Sequence, residues 1–391
     1  MISGCQRYIV EVRDLGTFIR DPRDPRDLRT EVRIITSSSS SAWRFGRLEL
    51  PKPATNKVTM PLQTELTKTL GILHPLIQGG MHYVGYAPLA AAVSNAGGLG
   101  LVTVLTQPSA EALRDEIRKT KALTSKPFGV NLTLLPALQP PDYPSFADVV
   151  EDEMKSGQLR VVETAGHFQG LLPFVEQFKS AGAYVIHKCT TIRHAKSAEK
   201  MGVDAISMDG FDCAGHPGET DIGNWVLFAK ATRELKVPFV ASGGCADGSQ
   251  LAAAIALGAI GMNMGTRWMA TVEAPIHAHI KQALVDGDEH STALVMRSHR
   301  NTERVFKNDA AMKVLEIEKE HPGEFDKIHH LVRGDNYRKS FQETGNTEDS
   351  VWSAGTCMGL IDDVPTCQVL TDRIVAHAEA IIRGRMQDSL V

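Results

Sequence analysis

The sequence predicts an α/β protein: a (β/α)₈ TIM barrel with a small helical cap domain and a disordered N-terminal extension. Three observations carry that prediction. Eight short apolar runs recur with starts roughly 20 to 35 residues apart, the spacing of a strand, a helix and two turns. The runs are apolar almost throughout rather than alternating, as expected of strands buried on both faces. The strongest glycine-rich turns follow the last two runs, whereas an open doubly wound sheet usually carries one such turn near its start.

Taken in order, residues 1–58 come first and look unlike the rest. They hold the repeat Arg20-Asp21-Pro22-Arg23-Asp24-Pro25-Arg26-Asp27 and the serine run Ser37 to Ser41. Alternating charge broken by proline builds no core, so disorder is expected there. A mitochondrial or other organellar transit peptide is the competing reading, because the segment is rich in Arg and Ser. Its seven acidic residues oppose that reading.

The barrel is expected over residues 59–284. Its eight strands read as Leu76 to Met81, Gly98 to Thr103, Phe128 to Leu134, Val161 to Ala165, Tyr184 to Thr190, Ala205 to Phe211, Phe239 to Gly244 and Gly261 to Arg267. Helical periodicity fills the gaps, as in Pro88 to Asn95, Ala110 to Ala122 and Ser249 to Leu257. After Arg267 the alternation stops. Residues 285–352 are polar and helix-like and read as a helical cap over the barrel mouth. Residues 353–391 read as a return to the barrel, with a last helix from about Pro365 to Met386.

Composition narrows the function. The formal net charge of the 391-residue chain is −4, so no basic field exists to attract nucleic acid or an anionic membrane. No apolar run reaches the roughly eighteen residues of a membrane span, and no secretory h-region is evident. Six cysteines are scattered without C-x-x-C pairs or zinc-like spacing, so no metal site is expected and a reducing, cytoplasmic setting is. The expected partner is a small molecule.

In such barrels the chemistry sits at the C-terminal strand ends. Ser242-Gly243-Gly244 and Gly265-Thr266 close strands seven and eight, where converging backbone N–H groups can hold a phosphate. A tight turn is the alternative for the Gly-Gly pair alone. Gln78-Gly79-Gly80-Met81 ends strand one and could let a flat ring such as a flavin approach closely. A β-bulge with Met81 in the core is equally compatible with that segment. Asn131 and Thr133 end strand three. Lys188, after an apolar stretch of strand five, could place a cation beside a developing negative charge or extend to solvent. Asp209 opens the segment Asp209 to Glu219, in which Ala214 and Gly215 would let the backbone pass close to a ligand. His216 would then project toward that ligand as a base near neutral pH. A loop histidine capping a helix is the competing reading. Cys213, with no assignable partner, reads as structural.

These residues, in this order, resemble the nitronate monooxygenase (2-nitropropane dioxygenase) family. The resemblance rests on Ile77 to Met81, Ala96 to Gly100, Asn131 to Thr133, His187 to Thr190, Asp209 to Glu219, Ala241 to Gly244 and Asn263 to Arg267. It extends from about Leu66 to Arg383 and includes Met296-Arg297-Ser298 and Trp352 to Gly355. It implies non-covalent FMN, phosphate held after strands seven and eight, and His216 as base toward alkyl nitronates or nitroalkanes. Electrons would pass through the flavin to O₂, yielding a carbonyl compound and nitrite. One departure bears on the substrate: where those enzymes typically carry Ala-Gly-Gly-His-Arg-Gly, this chain reads Cys213-Ala214-Gly215-His216-Pro217-Gly218-Glu219. That variant looks closer to a bacterial branch acting as NADH:quinone reductases. Three readings follow: nitronate oxidation, NADH-to-quinone transfer through the same FMN, and an FMN- or phospholigand-binding barrel without turnover. A thioester-reductase reading has less support, since nothing in the sequence suggests acyl-carrier docking.

Overall fold

A computed structural model describes residues 62–134 and 140–390. The expectations for residues 1–58 lie outside the described residues. A short helix, α1 (Glu65–Leu70), precedes the barrel and is held by a capping box between Thr64 and Thr67. The barrel follows as β1 (Leu76–Gln78), α2 (Ala87–Asn95), β2 (Leu101–Thr103), α3 (Ala110–Leu123), β3 (Phe128–Thr133) and α4 (Tyr143–Met154). It continues through β4 (Leu159–Ala165), α5 (Phe168–Ser180), β5 (Tyr184–Cys189), α6 (Ile192–Glu199), β6 (Ala205–Asp209) and α7 (Asn224–Glu234). The last units are β7 (Phe239–Ser242), α8 (Gly248–Ala256), β8 (Met262–Met264) and the single turn α9 (Thr266–Met269).

The eight strands form one parallel sheet in the order β1-β8-β7-β6-β5-β4-β3-β2. A parallel bridge between Ile77 and Leu99 joins its two edges and closes the ring. Every sequence-predicted strand is present, but most are shorter at the C-terminal end. Gly79 to Met81, Gly210-Phe211, Gly243-Gly244 and Gly265 to Arg267 leave the ladder, and of these Gly79, Gly80, Met81, Gly243, Gly244, Gly265 and Thr266 wall a cavity. Inside the ring, Ile77, Leu101, Val161, Ile186, Ala205 and Val240 pack with Leu66 and Leu70 of α1, which plug the end opposite the cavity. Between the strands and helices lies a second, larger apolar layer that includes Phe128, Val130, Phe178 and Met208. At about 25 cal/mol per Å² of apolar surface, this double burial is the main stabilising term of a barrel.

Past α10 (Ala278–Asp286) the segment expected to be helical opens instead as an antiparallel hairpin, β9 (Thr292–Val295) and β10 (Glu303–Phe306). The hairpin gave no turn signal because its connection bends at Met296 and Arg300, both left-handed without being glycine (φ 58° and 53°). Helices follow: α11 (Asp309–Glu320), α12 (Phe325–Val332) and α13 (Gly334–Lys339), then a π-helical turn at Ser340–Thr344. Val295, Val305, Ala311, Val314 and Ile328 give this region a small core of its own. The last helix, α14 (Cys367–Ala380), packs on α8 and α2 and runs into a π-turn ending at Met386, as the sequence predicted. Among the described residues, no helix is long and apolar enough to cross a membrane.

Candidate active site

A cavity of about 710 Å³ opens at the C-terminal ends of the strands. That volume lies within the range of pockets that hold cofactors and small ligands. Of the sequence-predicted residues, Gly79, Gly80, Met81, Asn131, Thr133, Lys188, Asp209, Ala214, Gly215, His216, Ser242, Gly243, Gly244, Gly265 and Thr266 all line it.

Gln78 does not. It is fully buried, its Oε1 accepts from the Leu101 amide at 2.9 Å, and its Nε2 donates to the Gly79 carbonyl at 2.5 Å. Its side chain therefore ties β1 to β2 beneath the cavity, which corrects its assignment as a ligand contact.

Glycine is required at the turn after β7. Gly243 and Gly244 adopt φ of 90° and 65°, a region that L-residues avoid. A Cβ on Gly243 would stand 2.9 Å from the Gly210 carbonyl oxygen, and one on Gly244 would stand 2.6 Å from Cβ of Asp212. The Gly243 carbonyl is drawn away from the cavity by the amide of Asn224, and the Gly244 carbonyl by Gln250 Nε2 at 2.6 Å. With the carbonyls held back, the N–H face of this turn forms a cradle suited to a phosphate. The Thr266 hydroxyl, on α9, accepts from the Gly355 amide at 3.0 Å and borders the same space.

The cavity floor carries charge. Lys188 Nζ lies 3.1 Å from Asp209 Oδ2 and 3.8 Å from Glu163 Oε1. Burial works to lower the lysine's pKa, but the two carboxylates outweigh it and hold the ammonium above its ordinary range. The sequence reading missed Glu163, although a carboxylate inside the apolar run Val161 to Ala165 was itself a signal. It also missed Asn263, at the matching height of β8.

His216 sits on the loop between β6 and α7, and its exposed ring lines the cavity without a hydrogen-bond or ion-pair partner among the described residues. It caps no helix. The loop is anchored on both sides of it. Gly215 and Arg304 of β10 exchange backbone hydrogen bonds of 3.0 and 2.6 Å. Glu219 accepts from the amide and hydroxyl of Thr302 at 2.8 and 2.6 Å. The Arg304 guanidinium lies 4.7 Å from the Phe211 ring centre and donates to the Phe211 carbonyl at 2.9 Å. The hairpin thus fixes the backbone and leaves the imidazole free.

Three cysteines, Cys213, Cys245 and Cys357, also border the cavity. Burial pushes each thiol up, Cys357 to about 12, so none is a thiolate near neutral pH. This agrees with reading Cys213 as structural. On the opposite wall His82 is held between the Leu105 carbonyl (3.2 Å from Nε2) and the Tyr337 hydroxyl (2.6 Å from Nδ1). A carbonyl only accepts, so Nε2 carries the proton and Nδ1 accepts from Tyr337. Burial depresses the His82 pKa to about 4, leaving it neutral. Tyr337 and Ser353 reach the wall from outside the barrel; Ser353 lies in the segment Trp352 to Gly355 that carried the resemblance, and Tyr337 had no such signal.

Residues 63–377 match the model of the nitronate monooxygenase family. The chain is 33% identical over 355 residues to (3aS,4S,5R,7aS)-5-hydroxy-7a-methyl-1-oxo-octahydro-1H-indene-4-carboxyl-CoA dehydrogenase of Rhodococcus jostii, covering 81% of this chain and 96% of the relative. It is 30% identical over 345 residues to a nitronate monooxygenase of Pseudomonas aeruginosa, covering 78% and 96% respectively. The structure of FabK from Thermotoga maritima superposes with a TM-score of 0.75 at 30% identity, covering 83% of this chain and 99% of that one. These matches extend well beyond the barrel strands, and they set aside the reading of a barrel without turnover: the chain belongs to the nitronate monooxygenase family of oxidoreductases.

Proposed function

We propose that the chain is an FMN-dependent oxidoreductase that oxidises the anion of a carbon acid, an alkyl nitronate, with O₂ as electron acceptor. The observation that carries this reading is the pairing, in one cavity, of a glycine cradle with an unpartnered histidine. The fit to FMN is supported by Gly243 and Gly244, whose turn excludes a Cβ where a phosphate needs donors, by Gly265 and Thr266 beside them, and by Gly79, Gly80 and Met81, which border the same cavity. When bound, FMN supplies the electron acceptor that the side chains lack.

The protein's own part is proton handling and orientation. His216, free of competing partners, can take the α-proton of a nitroalkane or donate to an oxygen of a preformed nitronate. Its loop is held by Glu219 and Arg304, so the imidazole approaches from a fixed direction. Lys188 offers positive charge at the cavity floor, where electron transfer builds negative charge.

A second reading has a specific observation behind it. The Rhodococcus relative, named for a CoA thioester, aligns over nearly its whole length. A thioester also acidifies its α-carbon, so the same imidazole would serve. Nothing in the cavity singles out transfer from NADH to a quinone, which stays an outcome of the test. Steady-state assays with propyl 2-nitronate, with an acyl-CoA, and with NADH plus a quinone separate the three. Nitrite release with the nitronate supports the first reading, and turnover confined to either other substrate overturns it.

A further inference from the structure

Glu163 is only 1% exposed and stands in the middle of β4, at the point where four cavity elements converge. Its Oε2 accepts from the Gly80 amide at 3.0 Å and from Asn131 Nδ2 at 2.8 Å. Its Oε1 accepts from Asn263 Nδ2 at 2.8 Å and lies 3.8 Å from Lys188 Nζ. Burying a carboxylate costs several kcal/mol even when it is paired, and apolar strands hold a barrel together without one. The residues it touches are contributed by β1, β3, β5 and β8 or their ends, and all of them line the cavity, whereas Glu163 lies behind them.

Two consequences follow from its chemistry. A carboxylate only accepts, so both asparagines must turn their NH₂ groups toward it and present their amide oxygens elsewhere. The Asn263 oxygen lies beside Gly79, and the Asn131 oxygen beside Gly80 and within 3.2 Å of the Thr133 hydroxyl. The cavity floor is thereby given acceptors along β1, β3 and β8. Secondly, Lys188 is shared between two carboxylates, so its field toward the cavity is weakened. Asp209 faces the cavity with it, held by Ser207 at 3.2 Å, while Glu163 draws on the ammonium from behind.

We propose that Glu163 is a positioning residue: it fixes the polarity of the cavity floor and restrains the Lys188 charge, and so sets how readily a bound flavin is reduced. This rests on the FMN reading above. The test is the flavin reduction potential of the purified holoprotein in wild type, Glu163→Gln, Glu163→Asp and Lys188→Met.

Glu163→Gln removes a negative charge that offsets Lys188, so its potential shifts positive. Glu163→Asp keeps the charge and returns toward wild type. Lys188→Met removes the cation and shifts negative. A flavin-loaded Glu163→Gln protein with the wild-type potential overturns the inference while leaving the FMN reading intact, since a merely structural role would change stability alone. If Glu163→Gln is recovered colourless, Lys188→Met decides: a wild-type potential there overturns the inference. A wild-type protein that binds no FMN overturns the FMN reading and this inference together.

Discussion

Replacing His216 with Asn removes the imidazole from the cavity wall but leaves the ties of its loop, Gly215 to Arg304 and Glu219 to Thr302, in place. The expected result is a protein that keeps its flavin and loses about 10²- to 10⁴-fold in turnover of a nitroalkane, whose α-proton the imidazole takes, the usual contribution of a positioned acid or base. Unchanged turnover would remove His216 from the mechanism. Gly243→Ala acts differently. It forces a Cβ into a left-handed turn and against the Gly210 carbonyl, a strain of about 1–3 kcal/mol. Flavin content and thermal midpoint should fall together; a fully loaded, equally stable variant would show that the turn tolerates a side chain. At this scale the sequence was legible wherever residues stand at strand ends, since glycines, Lys188 and His216 interrupt apolar runs. Glu163 is hidden within a run that is otherwise apolar, and Gln78, beside the Gly79-Gly80 turn, is buried and bonded to the Leu101 amide, which its place next to cavity residues does not reveal.

The hairpin β9–β10 is the element that most directly governs the loop carrying His216. Glu219→Ala deletes two hydrogen bonds to Thr302, each worth at most about 1.5–3 kcal/mol when a charged acceptor is involved. Hydrogen exchange over residues 212–222 should accelerate, and turnover should drop while flavin content holds. Unaltered exchange would mean that the Gly215–Arg304 pairing suffices. The eight barrel strands could be read from the sequence because a strand buried on both faces is a local apolar run. The hairpin could not, because β9 is only half-buried and its bends use Met296 and Arg300 in place of glycine. What positions the loop is therefore non-local. It depends on contacts between residues some eighty or more apart, such as Gly215 with Arg304, which no single segment announces.

For the molecule as a whole, acid should be destabilising from about pH 6.5 downward, starting above the range in which most carboxylates take up protons. His82 and His187 are both pushed down by burial, from 6.5 to about 4, and each is held by hydrogen bonds, His187 to the Thr164 hydroxyl at 2.9 Å. The unfolded chain binds those protons more readily than the folded one. Their contribution is thus complete above about pH 6.5 and is lost as the pH falls toward 4, by up to about 3 kcal/mol each. Thermal midpoints measured between pH 7.5 and 4.5 should decline, and less so in His187→Asn; a flat profile would contradict neutral burial. The central claim, that a glycine-cradled flavin in this cavity oxidises an alkyl nitronate, is tested most directly by mixing the purified protein anaerobically with propyl 2-nitronate and following the flavin absorbance. Loss of the yellow colour, followed by nitrite release when oxygen is admitted, is the result expected. A colourless protein, or a flavin that NADH bleaches and the nitronate leaves untouched, would contradict it.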